Sequence, residues 1–230
     1  MKLHFLVEGP SEVELLNGLL PRLIPAHKFA IYPHQGKGKL PTDPSLPPDP
    51  KNRGVLDQLP AILRAWGKTF SPNTDRVVVL VDKDDDDCVW LLEKLTEMLE
   101  EIRPAPLCMF RIAIEEVESW YLGDLAAMKR AFNTVDKKPL AGYEQDSTCG
   151  AWELFKEVIK DRLERKPYWA RKMGVELDVD NLEHNRSPSF QTFCRGVRRH
   201  AGELESPASP EKKRVEERSR RTQKRVNSKR

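Results

Sequence analysis

Five consecutive aliphatic residues, Val77–Val81, stand between Arg76 and Asp82 and constrain this chain more than any other feature. A strand so uniformly apolar has no face to give to water, so it belongs inside a parallel sheet covered by helices on both sides. The flanking pattern agrees. Residues 2–7 form a short apolar run that reads as a strand, and Gly9-Pro10 ends it. Ser11-Glu12-Val13-Glu14 has the spacing of a capping box, and Val13, Leu15, Leu16, Leu19, Leu20 and Leu23 carry a helix to about Pro25. Lys28–Pro33 reads as a second strand, Val55–Trp66 as a helix, Arg76–Val81 as the third strand, Cys88–Ile102 as a helix and Leu107–Ile114 as a fourth strand. That alternation predicts an α/β fold, a parallel sheet of about four strands flanked by helices.

Between the second strand and the next helix, His34–Arg53 is rich in Pro, Gly and Lys and reads as a long exposed loop. After Glu115 only helical spacing remains, roughly over Val117–Phe132, Ala151–Leu163, Tyr168–Met173 and Ser189–Ala201. The predicted organisation is an α/β core over 1–124, a helical extension packed on it over 125–202, and a tail over 203–230. The formal charge is +3, but Glu211–Arg230 holds ten Lys/Arg against three Asp/Glu, which puts +7 there and leaves −4 on the rest. Such a tail is expected to be disordered when free. It serves either as a polyanion-seeking appendage or as a plain solubilising segment.

Apolar runs of this length cannot cross a bilayer, and Met1–Val7 meets Glu8 with no basic-then-apolar leader. Cys88, Cys108, Cys149 and Cys194 lie far apart with no CxxC pair, against a zinc ribbon or a disulfide scaffold. The expectation is a cytoplasmic protein with reduced thiols and no membrane partner.

The acids carry the chemistry. Glu8 follows the first strand at once, Asp82 and Asp84 follow the third, and Glu116 and Glu118 follow the fourth. Ligands of open parallel sheets bind at the carboxyl ends of the strands, so three strands deliver carboxylates to one edge. Such a set tolerates itself only with a cation between its members or with protons taken up. Oxygen-only donors suit Mg²⁺ or Mn²⁺, one ion or two, and the reactions that use this arrangement are phosphoryl transfer and phosphodiester cleavage.

Phe5-Leu6-Val7-Glu8-Gly9-Pro10-Ser11-Glu12, followed by Val79-Leu80-Val81-Asp82-Lys83-Asp84, resembles the TOPRIM domain of topoisomerases, bacterial primases and OLD-type nucleases. Ile114-Glu115-Glu116-Val117-Glu118-Ser119-Trp120-Tyr121-Leu122-Gly123-Asp124 looks like the Glu-x-Glu-x-Trp block of a family of small prokaryotic TOPRIM-like proteins without assigned function, linked to anti-phage defence. Tyr168-x-x-x-Lys172 and Ser189-Phe190 look like its later blocks, so the resemblance covers about Met1–Val197 and not the tail. It implies metal binding or general-base work for Glu8, and metal binding for Asp82 and Asp84. OLD-type nucleases further imply Glu12, one helical turn on, and one more acid for which Asp86 is the matching position.

The resulting expectation is a divalent-metal-dependent nuclease with Glu8, Asp82 and Asp84 at its centre, helped by Glu12, Asp86 and Glu116 or Glu118, with Glu116 slightly ahead for lying nearer the strand end. Its partner is nucleic acid, DNA ahead of RNA. Lys37 and Lys39 approach a phosphate from the loop, while Lys172, Arg195, Arg198 and Arg199 touch the backbone from later helices. Gly36-Lys37-Gly38-Lys39 lacks the spacing of a phosphate-binding P-loop. The five histidines have no ligand spacing, and Trp66, Trp90, Trp120, Trp152 and Trp169 read as core residues. Two rivals stand beside this reading. One is a non-catalytic TOPRIM-like partner or sensor subunit acting with an ATPase. The other is a haloacid-dehalogenase phosphatase, which the mid-chain Asp82-x-Asp84 followed by Asp85-Asp86 fits poorly.

Overall fold

The structure is a computed structural model and describes residues 1–147 and 150–203. The chain runs β1 (Lys2–Val7), α1 (Pro10–Leu23), β2 (Lys28–Pro33), α2 (Val55–Thr69), β3 (Asp75–Asp82), α3 (Cys88–Glu101) and β4 (Cys108–Ala113). It continues with helices alone: α4 (Glu118–Gly123), α5 (Leu125–Ala131), α6 (Ala151–Val158), α7 (Lys166–Glu176) and α8 (Pro188–His200). The four strands pair in the order β2-β1-β3-β4, all parallel, as the apolar run at β3 requires. Cys149 and the basic tail lie outside the described residues. Among the described residues no helix is long and apolar enough to cross a membrane.

β3 shows why its sequence is apolar throughout. Val78 and Leu80 enter one core with Leu3, Phe5 and Val7, while Val77, Val79 and Val81 enter a second with Leu6 and Phe110. The second core is closed by α2 and α3 through Leu56, Leu59, Leu63, Leu91 and Leu95. The first is the larger. It unites α1 with α4–α8 through Trp120, Tyr121, Phe155, Trp169, Phe190 and Phe193, so the helical half shares one apolar core with the sheet.

Within that core α1 and α7 cross backbone to backbone. A Cβ on Gly18 would lie 2.7 Å from the Gly174 carbonyl carbon, and one on Gly174 would lie 2.5 Å from the Leu15 carbonyl oxygen. Only hydrogen fits at both positions, and the contact sets α7 against the start of the chain.

Several boundaries differ from the sequence expectation, each for a local reason. Helix α1 starts at Pro10 with Gly9 as its cap, not at Ser11, because Pro suits the first helical position and Glu12 reaches back to the Gly9 N–H at 2.8 Å. The expected helix over 117–132 is two, since Asp124 ends α4 and caps α5 by accepting from Ala127 N–H at 2.8 Å. Helix α6 stops at Val158, two residues before Lys160 takes a positive φ of 53°. Trp120 and Trp169 are fully buried, but Trp90 is 52% exposed and is not a core residue.

Candidate functional site

The carboxyl ends of β1 and β3 are neighbours, and their acids meet. Glu8 Oε1 accepts the Asp82 backbone N–H at 2.8 Å, tying the two strand ends together. Glu12, one turn into α1, is 7% exposed and its carboxylate closes the start of its own helix. Glu118 opens α4 just beyond β4, is 2% exposed, and its Oε1 is buried with no hydrogen-bond partner. Tyr121, one turn later on the same face of α4, has a buried hydroxyl that likewise has no partner.

Burial and mutual repulsion raise every one of these groups. Desolvation pushes Glu8 to about 7, with Asp84 and Glu12 adding to the rise while the Asp82 N–H and Lys37 oppose it. Glu118 rises to about 8, chiefly by burial, against the pull of Lys166. Asp82 is raised well above the ordinary carboxylate range by burial, then by Glu8, Glu12, Glu118 and Glu116 in falling order. Burial also lifts Glu12, and the Tyr121 hydroxyl rises by burial and then by the charge of Glu118.

A second set of acids, Asp84, Asp86 and Glu116, flanks this inner set, and each of these three has a cation. Lys37 Nζ pairs with Asp86 at 2.6 Å and Asp84 at 3.2 Å and donates to the Lys83 carbonyl at 2.8 Å. Lys166 Nζ pairs with Glu116 at 3.0 Å. Glu116 also accepts the Trp152 N–H at 3.3 Å, while Glu115 accepts from Ala151 N–H at 2.9 Å. Both acids therefore help to cap α6. Among the described residues none of Glu8, Glu12, Asp82 and Glu118 is ion-paired.

The backbone explains who stands where. β3 ends at Asp82, and Asp84 takes a positive φ of 48° with its N–H on the Glu115 carbonyl at 3.2 Å, so the strand's alternation does not carry on to it. The basic loop is pinned beside Glu8, because Gly36 N–H donates to the Glu8 carbonyl at 2.9 Å. It then folds over the first turn of α2, whose Val55 and Leu56 N–H groups donate to Gly36 and Lys37 carbonyls at 2.9 and 2.8 Å.

Residues 7–198 match the family model described as Domain of unknown function (DUF4276). The chain belongs to that family. The DUF4276 match spans every acid of both sets, and no curated protein and no solved structure matches the chain.

Within this DUF4276 fold the sequence candidates separate. Glu8, Asp82, Glu12 and Glu118 converge; Asp84, Asp86 and Glu116 form the paired rim. The geometry orders Glu118 ahead of Glu116, which is committed to Lys166 and α6. Among the basic candidates, Lys37 faces acids, not open solvent, and Lys39 is exposed. Lys172 Nζ donates to the Ala131 carbonyl at 2.6 Å and lies over Phe132 and Tyr168. Arg198 donates to the Leu23 and Val179 carbonyls at 3.3 and 2.9 Å, and Arg195 pairs with Glu183. Lys172 and Arg198 therefore hold helices together, and Arg199 stands at the other end of the sheet. Tyr121 and Lys166 belong to the site and were missed by sequence reasoning.

The inner donors suit a hard divalent cation: they are all oxygens, and Glu118 Oε1 is buried and unsatisfied. They are not drawn together for one, because among the described residues no three His, Cys, Asp or Glu side chains form a ready metal site. Without an ion, protons answer the repulsion.

Proposed function

We propose that the chain is a divalent-metal-dependent nuclease, hydrolysing phosphodiester bonds of nucleic acid, DNA ahead of RNA, within a TOPRIM-like core. The observation that carries this reading is the set of four carboxyls without an ion-pair partner among the described residues, the buried Glu12 and Glu118 and the half-buried Glu8 and Asp82, which strand ends and first helical turns bring to one edge of the sheet. Glu8, Asp82 and Glu118 would hold Mg²⁺ or Mn²⁺, with Glu12 behind them. A bound ion supplies Lewis acidity toward the scissile phosphate and lowers the pKa of water. The chain's own part is to position. The Asp82 N–H fixes Glu8 Oε1 and leaves Oε2 for the ion or for a proton from water. Lys166 and Lys37 balance the outer acids, so that the whole pocket does not become too negative to admit a phosphate. Lys39, exposed on the basic loop, meets the substrate backbone first.

The test is nicking of supercoiled plasmid with Mg²⁺ and with Mn²⁺, comparing wild type with Asp82→Asn and Glu8→Gln. Metal-dependent cleavage is expected, lost by about a hundredfold or more in both variants, since even groups that only orient metal ligands are worth 10–100-fold. Equal cleavage by all three proteins would overturn the reading. A non-catalytic partner role beside an ATPase is the second reading. It draws on one observation: Val89, Trp90 and Leu92 at the start of α3 are 65%, 52% and 42% exposed, an apolar stretch suited to a protein surface.

A further inference from the structure

Toward the amino end of the sheet a cleft of about 290 Å³ opens between the start of β3, the middle of β4 and the last turn of α8. Arg76, Arg111, Arg199 and His200 line it. The Arg111 guanidinium lies against Gly196 of α8, where a Cβ would come within 2.6 Å of its Cζ. Its Nη1 donates to the Phe110 carbonyl at 2.8 Å, but its Nε is buried without a partner, and so is Nε of Arg199.

Among the described residues neither Arg111 nor Arg199 is ion-paired, and the acids nearest in sequence to the cleft are turned elsewhere. Asp75 bonds to His4 at 3.0 Å, and Glu203 to His27 at 3.3 Å. His200 adds no charge near neutrality. Its Nε2 meets the Val77 carbonyl at 3.0 Å, and burial with the charges of Arg76 and Arg111 pushes its pKa down to about 4. Burial and Arg199 also lower Arg111, yet a guanidinium cannot shed its proton in this pH range. Partly desolvated guanidiniums with unspent donors are relieved by an anion, and planar forks of donors match phosphate oxygens.

We propose that this cleft binds a phosphate monoester, with Arg111 and Arg199 taking its dianionic head and Arg76 standing at the mouth. Several uncompensated guanidinium charges beside a neutral histidine match a dianion better than a singly charged diester. The volume equals that of roughly ten waters of liquid, which leaves room for a sugar on the phosphate. The inference does not rest on the nuclease reading: Asp82 lies six residues on from Arg76 along β3, about 20 Å away at the rise of a strand.

The test is calorimetric titration of the full chain with a nucleoside 5′-monophosphate and, separately, with orthophosphate, at pH 8 with EDTA to suppress anion binding through metal. Saturable binding is expected, weakened about tenfold or more in Arg199→Gln and less in Arg199→Lys. The nucleotide should also bind more weakly at pH 5, where its dianionic phosphate takes up one proton (pKa about 6) and keeps a single charge. Binding of both ligands makes the phosphate itself the recognised group; binding of the nucleotide alone makes it the ester. Arg111→Gln, checked for folding by circular dichroism, is the second variant. Absence of saturation would overturn the proposal. So would equal affinity in wild type and both variants, since that assigns the binding to other cations, such as those of Glu211–Arg230.

Discussion

The two ends of the sheet both gather like charges, and they manage them by opposite means. At the carboxyl end Glu12 and Glu118 are buried with Glu8 and Asp82 half-buried beside them, and each answers by holding its proton to higher pH. At the amino end Arg111 and Arg199 share a cleft and keep their charge, while the neighbouring His200 gives its own up. An acid cluster is thus conditionally charged, set by pH and by any cation, whereas a guanidinium pair stays charged and must find an anion or water. The two ends should therefore shape stability from opposite sides of neutrality.

The largest effect is expected at the acid end. A carboxyl whose folded pKa lies above its unfolded one contributes stability that is complete below the unfolded value and is lost as pH rises through the folded value. For Glu118 that window runs from about 4.5 to about 8. Metal-free protein should therefore be less stable at pH 8 than at pH 5, and Glu118→Gln should recover roughly 2–4 kcal/mol at pH 8 while changing little at pH 5. Urea unfolding at the two pH values measures this. A variant that tracks wild type at both would show that Glu118 is not held protonated. On the nuclease reading Mg²⁺ should raise the midpoint at pH 8, where it replaces protons, and EDTA should reverse the gain.

Next comes the basic end, through Gly196. An alanine Cβ there would stand 2.2–2.6 Å from the Arg111 guanidinium, so either the side chain leaves its seat or α8 moves. Gly196→Ala should cost about 1–3 kcal/mol, a fall in Tm of roughly 2–4 °C per kcal/mol, visible by calorimetry. An unchanged Tm would mean that Arg111 is held loosely, and the contrast between a rigid basic end and a titrating acid end would weaken.

These residues also show how far the sequence could be read. The sheet was legible because β3 must be apolar on both faces, and the strand-end acids because a parallel sheet brings its carboxyl ends to one edge. The four-strand parallel fold follows the expectation closely. The division of acids into an inner and an outer set was not legible, since it depends on Glu115 and Asp84 entering positive φ and on which acids lysines reach. Two signals were present and unused. Tyr121 is three residues from Glu118, hence on its face of the helix. Lys166 is the first residue of α7, where the helix dipole disfavours a cation unless acids compensate it. The cleft at the amino end was out of reach, because Arg76, Arg111 and Arg199 come from three separated elements and meet only through packing of α8 on β4.

Lys166 acts on the acid end at a smaller scale. Its charge pulls Glu118 and Glu12 down as well as pairing with Glu116. Lys166→Met should raise both inner carboxyls further and cost about 1 kcal/mol at pH 8, discounted for a third-exposed ammonium, and less at pH 5 where Glu118 is protonated in either protein. Equal losses at the two pH values would reduce Lys166 to a rim ion pair. That would detach it from the inner set.

The smallest effect lies on the acid limb and belongs to His200. Its folded pKa of about 4 is below the ordinary 6.5, so its contribution to stability is present above 6.5 and is lost as pH falls toward 4. His4, also lowered by burial, adds to the same limb, though its bond to Asp75 opposes the shift. In His200→Gln the hydrogen bond to the Val77 carbonyl is weakened at every pH, but the group no longer takes up a proton. The difference between wild type and variant should therefore shrink steadily from pH 6.5 to pH 4, while all other acid-sensitive groups cancel in the subtraction. Phosphate in the cleft should blunt the shrinkage, because an anion beside Arg111 and Arg199 favours the protonated ring and raises the folded pKa toward the unfolded one. A constant difference across that range would place the acid limb elsewhere. His200 would then protonate in the folded protein at the same pH as in the unfolded chain.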